Sequence, residues 1–228
     1  MFFIFGNQEK AVIPSELTGL ANTTLNNSHF SGPLILLKQI HSTQGLIIFP
    51  HHLSIPLWTI EGDYLITQNP SIGLAVATAD CLPIILIDET SQTIAIAHVG
   101  WKGLFAGIVE KVIERMVREC NAHIKNIRIT IGPAAGGCCY EITPEFLNNI
   151  PYNRRKTKAI RYDYHKDKKG HIFFDLVTYL KESLIIKGCH EKFITTEQHN
   201  CTICNTQFCS YRRSQQSSFR QLSIVSLK

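Results

Sequence analysis

The chain has 228 residues, 44% of them hydrophobic and 18% charged, with a net charge of +5 when its histidines are neutral. That length and composition allow one large domain with a full core, and we expect a single domain over residues 1–228. The positive balance favours small anions. No long unbroken basic face argues for nucleic acid, and no apolar run approaches the roughly 20 residues that a membrane span needs.

The amino terminus, Met1-Phe2-Phe3-Ile4-Phe5-Gly6, is apolar but too short for a signal h-region and lacks a preceding positive charge. We therefore expect a cytoplasmic protein, and a monomer, since nothing in the sequence demands more. Its eight cysteines then read as reduced thiols or ligands. The first thirty residues carry few periodic signals. Buried strands are predicted over 74–78, 84–87 and 93–98, the last two joined by the polar turn 88–92. The glycine-bracketed loop Val99-Gly100-Trp101-Lys102-Gly103 follows, and then a helix over 104–120. Its core face is set by Leu104, Ile108, Val112, Met116 and Val117.

A strand over 126–131 runs into the loop Gly132-Pro133-Ala134-Ala135-Gly136-Gly137, whose glycines would let backbone amides approach a ligand. Residues 151–170 read as a long loop, its basic residues (Arg154, Arg155, Lys156, Lys158, Lys166, Lys168 and Lys169) as a solvated excursion. A strand over 172–174, Asp175 as N-cap, a helix over 176–187 ending at Gly188, and a short strand over 193–195 complete the pattern. Strands with helices inserted at irregular intervals predict an α+β fold of layered mixed sheets flanked by helices.

Three apolar runs end on a soft-metal ligand: Leu34-Ile35-Leu36-Leu37-Lys38-Gln39-Ile40-His41, Gly73 to Cys81, and Thr93-Ile94-Ala95-Ile96-Ala97-His98. If the runs are neighbouring strands, one pocket collects His41, Cys81 and His98. A thiolate and two imidazoles fill three positions of a tetrahedral zinc and leave the fourth for water or substrate. From spacing alone, two satisfied histidines and an ordinary buried cysteine explain the pattern equally well.

The flanking residues are more specific. Gln39-Ile40-His41, Thr78-Ala79-Asp80-Cys81-Leu82-Pro83, Ala97-His98-Val99-Gly100-Trp101-Lys102-Gly103-Leu104, Ile131-Gly132-Pro133 with Cys139-Tyr140-Glu141-Ile142, and Cys201-Thr202 with Ser210-Tyr211-Arg212-Arg213 resemble, in order and spacing, the motifs of the YfiH-type laccase-domain family. Members have also been called multicopper polyphenol oxidoreductases and purine nucleoside phosphorylases. The resemblance implies zinc held by His41, Cys81 and His98. It also implies phosphorolysis of adenosine, inosine and methylthioadenosine to a free base and a pentose 1-phosphate, with adenosine deamination as a second activity.

Phosphorolysis needs positive charge for the phosphate. Lys102 and Arg212 or Arg213 are the candidates, with amides of the loop beginning at Gly132 as helpers. Asp80, beside Cys81, reads either as a proton shuttle or as a carboxylate that orients His98. Cys81 itself is either a metal ligand or a nucleophile.

Against the family pattern, Ser42 and Lys102 replace a glycine and an arginine, Cys209 replaces an aromatic, and the amino-terminal Gly-Asp and Asn-Arg pairs are not recognisable between Met1 and Gly32. The tail run His199-Asn200-Cys201-Thr202-Ile203-Cys204, continuing to Cys209, invites a second zinc site. A structural site normally draws its four ligands from two separated pairs, however, and these cysteines are expected to be small buried thiols under the terminal strand. Cys138 and Cys139 are soft enough to attract copper during purification. Alternative functions are a copper-dependent polyphenol oxidase, a cysteine amidohydrolase editing peptidoglycan precursors, and a nucleotide-binding module without turnover.

Overall fold

The structure is a computed structural model that describes residues 1–12, 32–54, 56–164, 170–196, 201–215 and 219–227. Lys166, Asp167, Lys168, Lys169, His199 and most of the amino-terminal segment searched above lie outside the described residues.

In chain order the described strands are β1 (Phe2–Phe5), β2 (Leu34–Ile35), β3 (Gly45–Ile48), β4 (Tyr64–Thr67), β5 (Gly73–Thr78), β6 (Leu82–Asp88), β7 (Thr93–Val99), β8 (Arg128–Ile131), β9 (Glu141–Ile142), β10 (Ile160–Tyr164), β11 (Gly170–Phe174), β12 (Ile194–Thr196) and β13 (Gln221–Ser226). The α-helices among the described residues are α1 (Trp101–Phe105), α2 (Ile108–Cys120) and α3 (Leu176–Lys187). A six-stranded sheet has the order β12-β8-β6-β7-β4-β3, a four-stranded sheet β1-β13-β5-β2, and a small sheet β10-β11-β9. The six-stranded sheet is mixed: β12 runs parallel to β8 and β3 to β4, while β8, β6, β7 and β4 alternate.

Period-two alternation sorts the central strands onto two buried faces. Ile84, Leu86, Ala95 and Ala97 face Leu104, Ile108, Val112, Met116, Leu180 and Leu184 of the helices. Ile85, Ile87, Ile94 and Ile96 face Leu74, Val76 and Val225 of the four-stranded sheet. Helices, six-stranded sheet and four-stranded sheet therefore stack as three layers, the α+β architecture expected. Burial on both faces is why β6 and β7 read as unbroken apolar runs instead of alternating ones.

The helix predicted over 104–120 is two helices. α1 already starts at Trp101, and Gly107, with φ 76° and ψ 38°, breaks the path before α2 begins. Glycine takes that left-handed conformation without steric cost, which the periodic pattern alone did not reveal. Val117, assigned to the core face, points outward and is 41% exposed. The loop expected over 151–170 contains β10, which pairs with β11 in antiparallel register from Ile160 opposite Phe174. Its alternating Ile160, Tyr162 and Tyr164 are a strand pattern that the surrounding basic residues masked.

α3 begins and ends as predicted. The Asp175 carboxylate accepts the Thr178 N–H at 3.0 Å, and Gly188 closes the helix at φ 98°. Asp175→Ala should lower stability by about 1 kcal/mol, read as a lower urea midpoint with an unchanged m-value. An unchanged midpoint would mean that the cap contributes nothing.

Candidate metal centre

The three runs that end on His41, Cys81 and His98 are not neighbours in one sheet, the condition under which one pocket would collect them. β2 and β5 pair in parallel in the four-stranded sheet, whereas β7 lies in the six-stranded one. The two sheets stack through Ile35, Leu74, Val76, Ile94 and Ile96, and His41, Cys81 and His98 meet where the chain reaches the carboxyl ends of the three strands. Nε2 of His41 lies 3.7 Å from Sγ of Cys81, and the His41 and His98 rings cross edge-on with centroids 4.7 Å apart. One ligand atom from each residue falls within 4.8 Å of the others. A tetrahedral zinc would hold nitrogen and sulfur about 3.5 Å apart, so small side-chain adjustments close the shell.

Asp63 organises this arrangement. It is 1% exposed, and its carboxylate accepts the backbone N–H groups of Ile40 (3.2 Å), His41 (3.0 Å) and Ser42 (2.6 Å) and the Ser42 hydroxyl (2.8 Å). It also meets Nδ1 of His98 at 2.8 Å. That bond leaves Nε2 of His98 for a metal. Burial pushes the Asp63 carboxyl up, but the bonds from His98 and Ser42 outweigh it and hold it below its ordinary value. Ser42, one departure from the family pattern, thus adds to the buried charge a hydroxyl donor that glycine would lack.

The loop that carries His41 is fastened on its other side by Gln39. Its Nε2 donates to Ala77 O, and its Oε1 accepts from Ala77 N, both at 2.8 Å. His41 (φ 60°) and Asp80 (φ 82°) both sit in the left-handed region that side chains rarely adopt. Such strain persists where surrounding bonds over-determine the backbone. A Cβ on Gly100 would stand 2.7 Å from Cδ2 of His41 and 3.2 Å from Sγ of Cys81. Only glycine lets the turn into α1 come so close.

Burial alone would raise the Cys81 thiol. The charge on His98 and hydrogen bonds from both histidines win, and bring it down to about 6. Burial likewise disfavours charge on His98, but Cys81 and Asp63 raise it to about 9. Without a metal the two groups form a thiolate–imidazolium pair between these values. A metal substitutes for that proton, because thiolate and neutral imidazole are the ligating forms.

The remaining candidates divide. Asp80 does not orient His98; its Oδ1 accepts the Thr202 hydroxyl and its Oδ2 the Arg212 N–H, each at 2.6 Å. The Arg212 guanidinium lies over Tyr140, 5.1 Å from the ring centroid, and donates to Glu141 O at 3.2 Å. Arg213 turns back into the tail. Its Nη1 donates to Thr202 O (2.6 Å), Ile203 O (3.0 Å) and Asn205 O (3.3 Å), and its Nη2 to Phe208 O (2.6 Å). Lys102 is exposed on α1, with Nζ 5.7 Å from the Trp101 ring.

Gly132, expected to offer its amide to substrate, is buried. Its N–H is bound to Pro83 O at 2.9 Å, and a Cβ there would lie 2.3 Å from the Phe5 ring. Close approach of Phe5, not of a ligand, explains that glycine. Tyr140 went unassigned in the sequence. Burial raises its phenol above its ordinary value, and charges on Arg212, Cys81 and Asp80 all reach it.

Residues 14–228 match the profile of a family described as multi-copper polyphenol oxidoreductase laccase. The chain belongs to this family. Among relatives of this laccase-domain chain, a protein of Aquifex aeolicus strain VF5 named purine nucleoside phosphorylase is 32% identical over 168 residues, covering 74% of this chain and 72% of that one. A protein of an unknown prokaryotic organism, named adenosine deaminase RL5, is 30% identical over 186 residues, covering 79% and 70%. The crystal structure of the Bacillus licheniformis hypothetical protein YfiH superimposes with a TM-score of 0.74 at 26% identity, covering 86% of this chain and 74% of that one.

If Asp63 sets the centre, Asp63→Asn should weaken zinc binding about 10–100-fold, measured by competition with a chromophoric chelator. Unchanged affinity would remove Asp63 from the account.

Proposed function

We propose that this laccase-domain chain is a zinc-dependent purine nucleoside phosphorylase with an adenosine deaminase side activity. It would convert adenosine, inosine or methylthioadenosine, with phosphate, to base and pentose 1-phosphate. The observation that carries the reading is the convergence of two imidazoles and one thiolate on a common centre, beside a rim built from Tyr140 and Arg212. The names of the relatives supply the reaction class.

The donor set fits zinc. Two nitrogens and a sulfur suit that ion, and the Asp63 bond fixes one imidazole in its ligating orientation. His41, Cys81 and His98 would hold it and leave a fourth position open. A zinc held by these residues would supply Lewis acidity and would activate water near neutral pH, the requirement of the deaminase activity.

In phosphorolysis a phosphate oxygen forms a bond to the anomeric carbon as the glycosidic C–N bond breaks, and the base leaves with the bonding electrons and takes a proton. Arg212 presents its guanidinium to phosphate, and Lys102 adds a point charge from α1. Asp80 is a positioning residue: with both carboxylate oxygens engaged, it holds the tail at Thr202 and Arg212. Tyr140, which keeps its proton at neutral pH, gives the departing base an O–H donor on that rim. The Nη groups of Arg213 and the amide of Gly132 donate within the protein, which favours Arg212 and Lys102 over them as phosphate contacts.

Copper oxidation of phenols is disfavoured on ligand grounds. Multinuclear oxygen reduction needs more imidazoles than a His-Cys-His set provides, and His41 and His98 are the histidines in the candidate clusters among the described residues. Commitment of Cys81 to a metal also argues against an amidohydrolase that uses it as nucleophile.

The test is to incubate metal-analysed protein with inosine, with and without phosphate, and to follow hypoxanthine and ribose 1-phosphate. Product should require phosphate and fall by about 10²-fold or more in Cys81→Ala and His98→Ala. Arg212→Ala should mainly raise the KM for phosphate. Phosphate-independent product, or phenol turnover that scales with added copper, would overturn the reading.

A further inference from the structure

Four thiols that the proposed nucleoside site does not use stand together where the loop after β8 meets the carboxy-terminal tail. We propose that Cys138, Cys139, Cys201 and Cys204 form a second, closed site for a zinc ion, which staples that loop to the carboxy-terminal tail. The expectation that the tail cysteines are small buried thiols holds for Cys209, but Cys204 is exposed and Cys201 half-buried. The sulfurs of Cys138, Cys139, Cys201 and Cys204 all lie within 4.8 Å of one another. Around a tetrahedral zinc with Zn–S bonds near 2.3 Å, sulfurs are about 3.8 Å apart. The cluster therefore needs a contraction of about an ångström or less to take the ion.

The ligands come from two separated stretches, the adjacent Cys138-Cys139 and Cys201-Thr202-Ile203-Cys204; the second has the Cys-x-x-Cys spacing of structural zinc sites, and the first does not. The backbone fixes the pairs against each other before any ion arrives. Ala134 and Cys201 form a parallel bridge, and Thr202 N donates to Ala134 O at 2.9 Å. The turn that delivers Cys138 and Cys139 is closed by Cys139 N and Tyr140 N on Gly136 O, at 3.0 and 2.9 Å. A Cβ on Gly136 would come within 3.3 Å of the sulfurs of both Cys138 and Cys201, so this glycine clears the space where the strands of the staple meet.

The electrostatics agree with the geometry. Burial raises the Cys201 thiol, but backbone N–H groups of Cys204, Gly136 and Ile203 converge on its sulfur and take it below its ordinary value; the Gly136 N lies 3.3 Å away. Cys138, crowded by burial and by Cys201, is pushed up to about 11, and Cys139 is pushed up further by burial and by Cys138 and Cys204. Sulfur at all four positions leaves none for water or substrate, which makes the site structural. What it would hold in place is the tail: Thr202, next to Cys201, and Arg212 both reach Asp80, next to Cys81.

Metal analysis of protein purified without chelators tests this. Full-length protein should carry about two zinc ions per chain, and Cys204→Ser and His98→Ala about one each. Cobalt loaded into His98→Ala should show the intense charge-transfer and visible bands of a tetrathiolate site, absent from His98→Ala with Cys204→Ser. If Cys204→Ser does not fold, Cys204→His should keep the second ion with a blue-shifted cobalt spectrum. A zinc content unchanged by Cys204→Ser, disulfides among the four cysteines in the freshly purified protein, or an iron chromophore would each overturn the proposal. Because the readout is metal content and spectrum, it stands or falls separately from nucleoside turnover.

Discussion

One buried carboxylate holds the candidate centre together. Asp63 is almost without solvent, and a bare charge there would cost several kcal/mol. Three backbone amides, one hydroxyl and one imidazole satisfy it. Those donors belong to two elements, the loop of His41 and the end of β7, so satisfying the charge docks one ligand-bearing segment against the other. The left-handed backbone of His41 is maintained by these bonds, with Gln39 clamping the loop to β5 from the opposite side. Removing Asp63 would release the ring of His98 and the loop of His41 together.

The sequence made the candidate ligands legible because each closes an apolar run, although only His98 lies within a strand and His41 and Cys81 follow theirs on short loops. His41, Cys81 and His98 were identifiable as chemical types and positions, although the assumed arrangement of three neighbouring strands was replaced by two stacked sheets. Asp63 was not legible: no element was predicted around it, and nothing local says that its carboxylate reaches the loop of Ile40 to Ser42 and a histidine in β7. Asp80 was the decoy, being adjacent to a ligand yet turned toward the tail. The glycine of the Gly-Pro motif misled for a related reason, since Gly132 accommodates Phe5 from the distant β1.

The cysteines illustrate the same limit. Cys201 and Cys204 looked incomplete as ligands because their partners lie more than sixty residues away, in a loop whose adjacent cysteines do not form a recognisable spacing. Pairing of Ala134 with Cys201 brings them together, a tertiary fact. The result is two thiolate environments of different character. One has nitrogen partners and an open position and suits chemistry; the other has sulfur alone and suits stapling. Asp80 joins them mechanically, since its turn carries Cys81 on one side and its carboxylate holds the tail on the other.

The central claim is a single ion bound by one sulfur and two nitrogens. Zinc-edge X-ray absorption on Cys204→Ser, loaded with one equivalent of zinc, tests it directly, because that change removes a ligand of the all-sulfur cluster. The account predicts one sulfur near 2.3 Å and nitrogen or oxygen neighbours near 2.0–2.1 Å, with the imidazole scattering of two histidines. A shell made of sulfur alone, or one without sulfur, would contradict it.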